Sequence, residues 1–220
     1  MNIRITASDK KHLLSLILEN IELNGKNCNL NHIDTSRITD MSWLFHNKDC
    51  NVDISQWDVS NVIDMKGMFQ KSTFNGDISK WDVLSVTNMS YMFFETTFNQ
   101  NISKWDVSNV TDIGTMFYKS KFNRNIGEWD VSKVANMELM FYMAFFNQDI
   151  SDWFPKKLKH THQIFKDSKI ESENNLPYWA GLEAALLKQS VIAHRLQKQL
   201  SIKLTTTETN NAKTYGRTKI

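Results

Sequence analysis

The sequence predicts an α/β solenoid. Strand–turn–short-helix coils stack behind an N-terminal helical cap, and a C-terminal helix follows. Three observations carry this prediction. Trp57, Trp81, Trp105, Trp129 and Trp153 stand 24 residues apart. Phe45, Phe69, Phe93, Phe117, Phe141 and Phe165 keep the same step, as do Ile54, Ile78, Ile102, Ile126 and Ile150, with no insertion between copies. A constant period means one supersecondary unit stacked on copies of itself. Gly and Pro number only 7 and 2, so the turns fall to Asn, Asp and Ser. A repeated surface also argues against catalysis, which needs a single unrepeated constellation of groups.

Composition sets the outer bounds. With 41% hydrophobic and 23% charged residues over 220 positions, the chain is globular rather than disordered. Residues 1–154 hold 14 Lys and Arg against 19 Asp and Glu, net −5, whereas 155–220 hold 12 against 5, net +7. The body is therefore mildly acidic and the C-terminal part basic. No apolar run approaches the roughly 18 residues of a membrane span. Met1-Asn2-Ile3-Arg4 has no signal-peptide pattern, so the chain reads as cytoplasmic. Cys28 and Cys50 stand 22 residues apart, near one period, and read as buried thiols rather than a disulfide.

The elements follow in chain order. Residues 1–29 form the cap helix and a lead-in turn. Thr6-Ala7-Ser8-Asp9 caps a helix over Lys10–Asn20, Leu13, Leu14, Ile17 and Leu18 make its apolar stripe, and Asn24-Gly25 signals the turn. Residues 30–167 hold one partial coil, with Ile33 where later coils have Trp, and about five full ones. Within a coil a short strand is expected around Ile78. A helical face follows the tryptophan, because Val62, Met65 and Phe69 fall at i, i+3 and i+7. Asn61 with Asp64, Ser85 with Asn88 and Asn109 with Asp112 resemble capping boxes. The recurring methionines (Met65, Met89, Met137; Met68, Met92, Met116, Met140) read as core filling. Asn75, Asn99, Asn123 and Asn147 read as a structural ladder, with a similar polar ladder through Asp77, Asn101, Asn125 and Asp149.

Residues 168–204 are read as a linker and a helix. Lys166–Asn175 is polar, and Pro177 suits a first helical turn. Leu182, Leu186, Gln189, Ala193, Leu196 and Leu200 then step by 4, 3, 4, 3 and 4, a heptad seam with one polar position. This helix either docks on the last coil or pairs with another helix, including self-association with its own kind. Residues 205–220 read as a disordered basic tail.

The run Phe98-Asn-Gln-Asn-Ile-Ser-Lys-Trp-Asp-Val-Ser-Asn-Val-Thr-Asp112, ending in Met116-Phe117, resembles the BspA-like branch of the leucine-rich repeat proteins. Residues 30–166 repeat it coil after coil, beginning with Ile33-Asp34-Thr35-Ser36-Arg37-Ile38-Thr39-Asp40-Met41. The resemblance implies a right-handed, leucine-rich-repeat-like solenoid with a binding role, often at a bacterial surface, and brings no catalytic residues.

The remaining chemistry is sparse. His160 and His162 have no third ligand at metal spacing, and the chain has no phosphate loop, CxxC or nucleophile elbow. No enzyme activity, cofactor or metal is expected. Variation between coils then points to a partner-binding edge. Lys80, Lys104 and Glu128 precede successive tryptophans, Arg124 follows a ladder asparagine, and Phe94, Tyr118 and Tyr142 follow Met-Phe pairs. The predicted function is recognition of another protein, as inhibitor, adaptor or effector. The alternatives are a surface adhesion module and a nucleic-acid or ribonucleoprotein binder. The latter would use Lys156-Lys157-Leu158-Lys159-His160 and the tail residues Lys203, Lys213, Arg217 and Lys219.

Overall fold

A computed structural model describes residues 4–173, 175–177, 179–180, 196–197 and 200. The chain divides into two compact units, Met1–Ala180 and Gly181–Ile220.

The first unit opens with β1 (Ile5–Thr6) and α1 (Lys10–Asn24). Asp9 caps α1 by accepting the His12 N–H at 2.9 Å, and Gly25, at φ 83°, ends it by donating to the Ile21 carbonyl. The buried stripe is Leu13, Leu16 and Ile17, and Leu18 is exposed. The expected stripe is thus corrected at Leu18, and Leu14, also expected in it, is only half-buried. Five residues of ~100° each carry Leu18 well round the helix from Leu13, whereas positions i+3 and i+4 stay on its face. Lys10, one turn before Leu13, fastens α1 to the first coil through Asp40 at 3.1 Å and Ser42 at 2.6 Å. β1 pairs in parallel with β2 (Ile33–Asp34).

From there the backbone repeats every 24 residues. Parallel bridges join Asp40 to Asp64, Asp64 to Asn88, Asn88 to Asp112, Asp112 to Asn136 and Asn136 to His160. Beside them, the N–H groups of Met65, Gly67, Phe69 and Lys71 donate to the carbonyls of Asn88, Ser90, Met92 and Phe94 in the next coil. Intervening N–H groups close four-residue turns, Met68 onto Met65 and Gln70 onto Gly67. Residues 67 and 71 have positive φ, as do Tyr91 and Glu95, Thr115 and Lys119, and Leu139 and Met143 one period on each.

This corrects two expectations. The segment after each tryptophan is a run of turns and not a helix. A helix keeps its N–H groups within the segment, bonded i to i−4, but here every second one crosses to the next coil. A hydrogen-bonded turn also brings i and i+3 together, so a string of turns buries Val62, Met65 and Phe69 at helix-like spacing. Most of the parallel contact lies at Asp64 and its equivalents; near the expected position Asn29 bridges Asp53, beside Ile54, whereas Ile78 itself is buried at a tight turn closed by the Trp81 N–H.

The expected capping boxes are likewise absent, for want of a helix to cap. Asp64, Asn88 and Asp112 instead accept the N–H two residues on, from Lys66, Ser90 and Gly114. Asp77, Asn101, Asn125 and Asp149 do the same for Ser79, Ser103, Gly127 and Ser151. Asp58, Asp82, Asp106 and Asp130 make the third such turn of their coils. Three side-chain-closed turns per coil let the chain bend with few glycines.

These turns predict an acid response. The Ser36 and Ser79 backbone N–H groups hold Asp34 and Asp77 below their ordinary carboxylate range, and the Ser108 side chain and N–H do so for Asp106. A carboxyl depressed in the folded state contributes fully above its unfolded value, near ~4, and loses that contribution as pH falls through the folded value. Thermal stability should therefore change little from about pH 7 to 5 and fall below about pH 4. Asparagine keeps the Oδ1 acceptor, as Asn101 and Asn125 show. The Asp34→Asn/Asp77→Asn/Asp106→Asn variant should match wild type near neutrality and lose less in acid. An unchanged acid profile would remove these three groups from the account.

The core consists of in-register columns. Each of Trp57, Trp81, Trp105, Trp129 and Trp153 donates Nε1–H to a carbonyl 27 residues earlier, from Leu30 to Ile126, at 3.0–3.2 Å. Phe45, Phe69, Phe93, Phe117, Phe141 and Phe165 stack at 5.5–5.8 Å. The Asn side chains form a continuous ladder. Oδ1 of Asn51, Asn75, Asn99 and Asn123 each accepts the N–H of the Asn one coil on.

The segment 166–175, expected to be a linker, belongs to this unit. Within it α2 (Lys169–Ser172) is capped by Ser168, Ile170 is buried, and the Ile170 N–H reaches the Phe146 carbonyl. Asn175 extends the ladder onto Asn147, and buried Trp179 stacks on Trp153 at 6.3 Å. The apolar ruler had continued, since Ile170 stands 24 after Phe146, but the tryptophan slips to 26 after Trp153.

In the second unit, Leu196 and Leu200 are helical and exposed. Leu182, Leu186, Gln189 and Ala193 lie outside the described residues, as does the basic tail.

Candidate interaction surface

The variable positions fall into two sets, which no hydrogen bond, ion pair or ring contact joins among the described residues. In the first set Lys104 and Glu128 pair with each other at 3.1 Å while both stay about three-quarters exposed. Such a pair contributes little to stability. Arg124 donates Nε–H to the Asn99 carbonyl at 2.8 Å, so part of its guanidinium serves the coil beneath. Lys80 is exposed. Glu128 also lines an open acidic groove of about 550 Å³ with Asn125, Gln148, Asp149 and Asp152.

The second set is aromatic. Phe94 stacks on Tyr118 at 4.7 Å and Tyr118 on Tyr142 at 5.1 Å, within 6° of parallel, and all three are half-buried. The structure lengthens this ridge with residues the repeat comparison missed. Tyr91 lies 6.0 Å from Phe94, and Trp43, 39% exposed, lies 6.3 Å from Tyr91. Trp43 and Tyr91 are 48 residues apart, so the contact skips one coil. Gly67 makes this possible, because a Cβ there would sit 2.2 Å from the Trp43 ring. At the far end, Met143 and Phe145 are exposed.

Lysines accompany the rings. Lys66 Nζ stands 6.0 Å from Trp43 and 5.8 Å from Tyr91, Lys71 is 5.8 Å from Phe94, and Lys119 is 5.4 Å from Tyr118. Glu95 lies between Lys71 at 3.6 Å and Lys119 at 4.0 Å. The whole is a cationic aromatic strip crossing successive coils.

Gly67→Ala should expel Trp43 from this strip. The alanine would also keep a positive φ, which by itself costs roughly 1–2 kcal/mol. Trp43 emission should shift to the red, against the background of the buried tryptophans. An unchanged spectrum would mean the ring does not lie over Gly67.

A second open groove of about 750 Å³ is lined by Ser36, Arg37, Thr39, Asn61, Ile63, Ser85, Thr87 and Asn109. His160 and His162 are exposed, and no cluster of three metal-ligating side chains occurs among the described residues. Cys28 and Cys50 are free and buried, and burial chiefly pushes the Cys50 thiol up to about 11. Among the described residues no helix is long and apolar enough to cross a membrane.

Residues 14–121 and, in an overlapping second match, 85–179 fit the family described as Mycoplasma protein of unknown function, DUF285. The second match starts 71 residues after the first, one short of three 24-residue periods. No curated protein and no solved structure was found to match the chain.

Proposed function

We propose that this chain, which belongs to the Mycoplasma family DUF285, is a non-enzymatic recognition module that binds another protein through its aromatic strip. The supporting observation is the ridge Trp43–Tyr91–Phe94–Tyr118–Tyr142, held half-exposed on an otherwise uniform frame. Partly exposed aromatics held rigid by stacking lose little entropy on binding and make good anchors. We further propose that the stacked coils are a BspA-like leucine-rich-repeat solenoid. The 24-residue bridges, the inward Trp and Phe columns and the asparagine ladder support that assignment.

The test is capture of a partner on immobilised full-length protein. The comparison uses Tyr118→Ala/Tyr142→Ala and, as a counterpart, Lys104→Ala/Glu128→Ala. A protein retained by wild type and the second variant but released by the first supports the reading. A purified partner that binds the tyrosine variant as tightly as wild type overturns it.

A further inference from the structure

We infer that the partner meets this strip with an acidic segment, one rich in Asp and Glu side chains. The inference rests on the proposed recognition role and specifies its chemistry. In the stretch Phe94–Tyr118–Tyr142 the rings lie face to face within 6° of parallel, so both faces of Tyr118 and one face each of Phe94 and Tyr142 are covered, and the half-buried stack presents ring edges along its border. An aromatic quadrupole is negative on its face and positive at its edge. The exposed border of the stack therefore favours anions, and the tyrosine hydroxyls add donors to it.

The surrounding charges have the same sense. Lys66, Lys71 and Lys119 stand against the rings, and Glu95 is held between two of these lysines. This positive strip lies on a body that is net −5 over residues 1–154, so the match to an acidic partner is local and selective.

Nucleic acid is also anionic, but sequence-tolerant binding of single strands relies on bases stacking on open ring faces. The central faces of this ridge are already taken, which favours carboxylates over phosphates and bases.

The test uses two labelled probes of matched charge, a poly-glutamate peptide of about 20 residues and an oligouridylate of about 20 nucleotides. Binding to the full chain is followed by fluorescence anisotropy at low and moderate salt. Poly-glutamate should bind, and its affinity should fall about tenfold or more in Lys66→Glu/Lys119→Glu and again as salt is raised. Oligouridylate should bind more weakly and respond little to that variant. Absence of poly-glutamate binding overturns the inference. So does equal binding by the lysine variant, which would assign the probe to the basic C-terminal stretch, or a preference for oligouridylate that depends on Lys66 and Lys119. Circular dichroism establishes that each variant is folded. With a captured partner, loss of binding in Tyr118→Ala/Tyr142→Ala but not in the lysine variant would sink the acidic-segment inference alone. Retention in the tyrosine variant would sink the recognition reading itself.

Discussion

Trp105→Ala should destabilise the chain by about 3–5 kcal/mol, the range for removing a large buried aromatic. Trp105 is 3% exposed, stacks on Trp81 at 6.4 Å and lies 6.4 Å from Phe93. The cavity would open in the middle of the repeats, against the preceding coil's Trp81 and Phe93. The substitution also removes the 3.0 Å bond from Nε1 to the Ile78 carbonyl and leaves that buried acceptor unpaired. Trp105→Phe should fall between, because it restores most of the contact but not the donor. Urea unfolding of the three proteins at one temperature measures the series. A loss below about 1 kcal/mol for alanine would contradict a buried, weight-bearing ring.

Tyr118→Ala/Tyr142→Ala should weaken partner binding by about 2 kcal/mol or more, on the order of 30-fold. Each ring is half-buried, so the variant will also lose some stability. Calorimetry with the captured partner must therefore be paired with circular dichroism of the free variant. Removing Tyr118 leaves Phe94 and Tyr142 without the ring each stacks on, so the effect should exceed that of either ring alone. Tyr118→Phe keeps the stack and removes only the hydroxyl, so it separates ring packing from hydrogen bonding. A folded double variant with wild-type affinity would take this ridge out of the binding surface.

Much of the interior was legible in the sequence because a fixed period forces equivalent residues into register. Equal spacing placed the tryptophans and phenylalanines in columns, and the asparagines in a ladder whose side chains satisfy the next coil's N–H groups. Asp9 announced the start of α1, since a short acceptor before an amphipathic run has orphan N–H groups to satisfy. Phe94, Tyr118 and Tyr142 were visible as one variable column.

Other features depended on where the backbone N–H groups point, which side-chain spacing does not encode. A run of turns buries residues at the same intervals as a helix, so only the hydrogen bonds from Gly67, Phe69 and Lys71 into the next coil distinguish the two. The end of the first unit was hidden by a two-residue slip, although Ile170 still kept time with Phe146. Trp43 reaches Tyr91 only because Gly67 has no side chain to hold the rings apart, and a contact that skips a coil is invisible to a comparison of adjacent repeats. The sequence by itself determined the period, the inward columns and the polar turns, because each depends on residue type and spacing. Tertiary structure decided the turn geometry, the closing residues and the extent of the aromatic strip, because those depend on which groups of different coils reach one another.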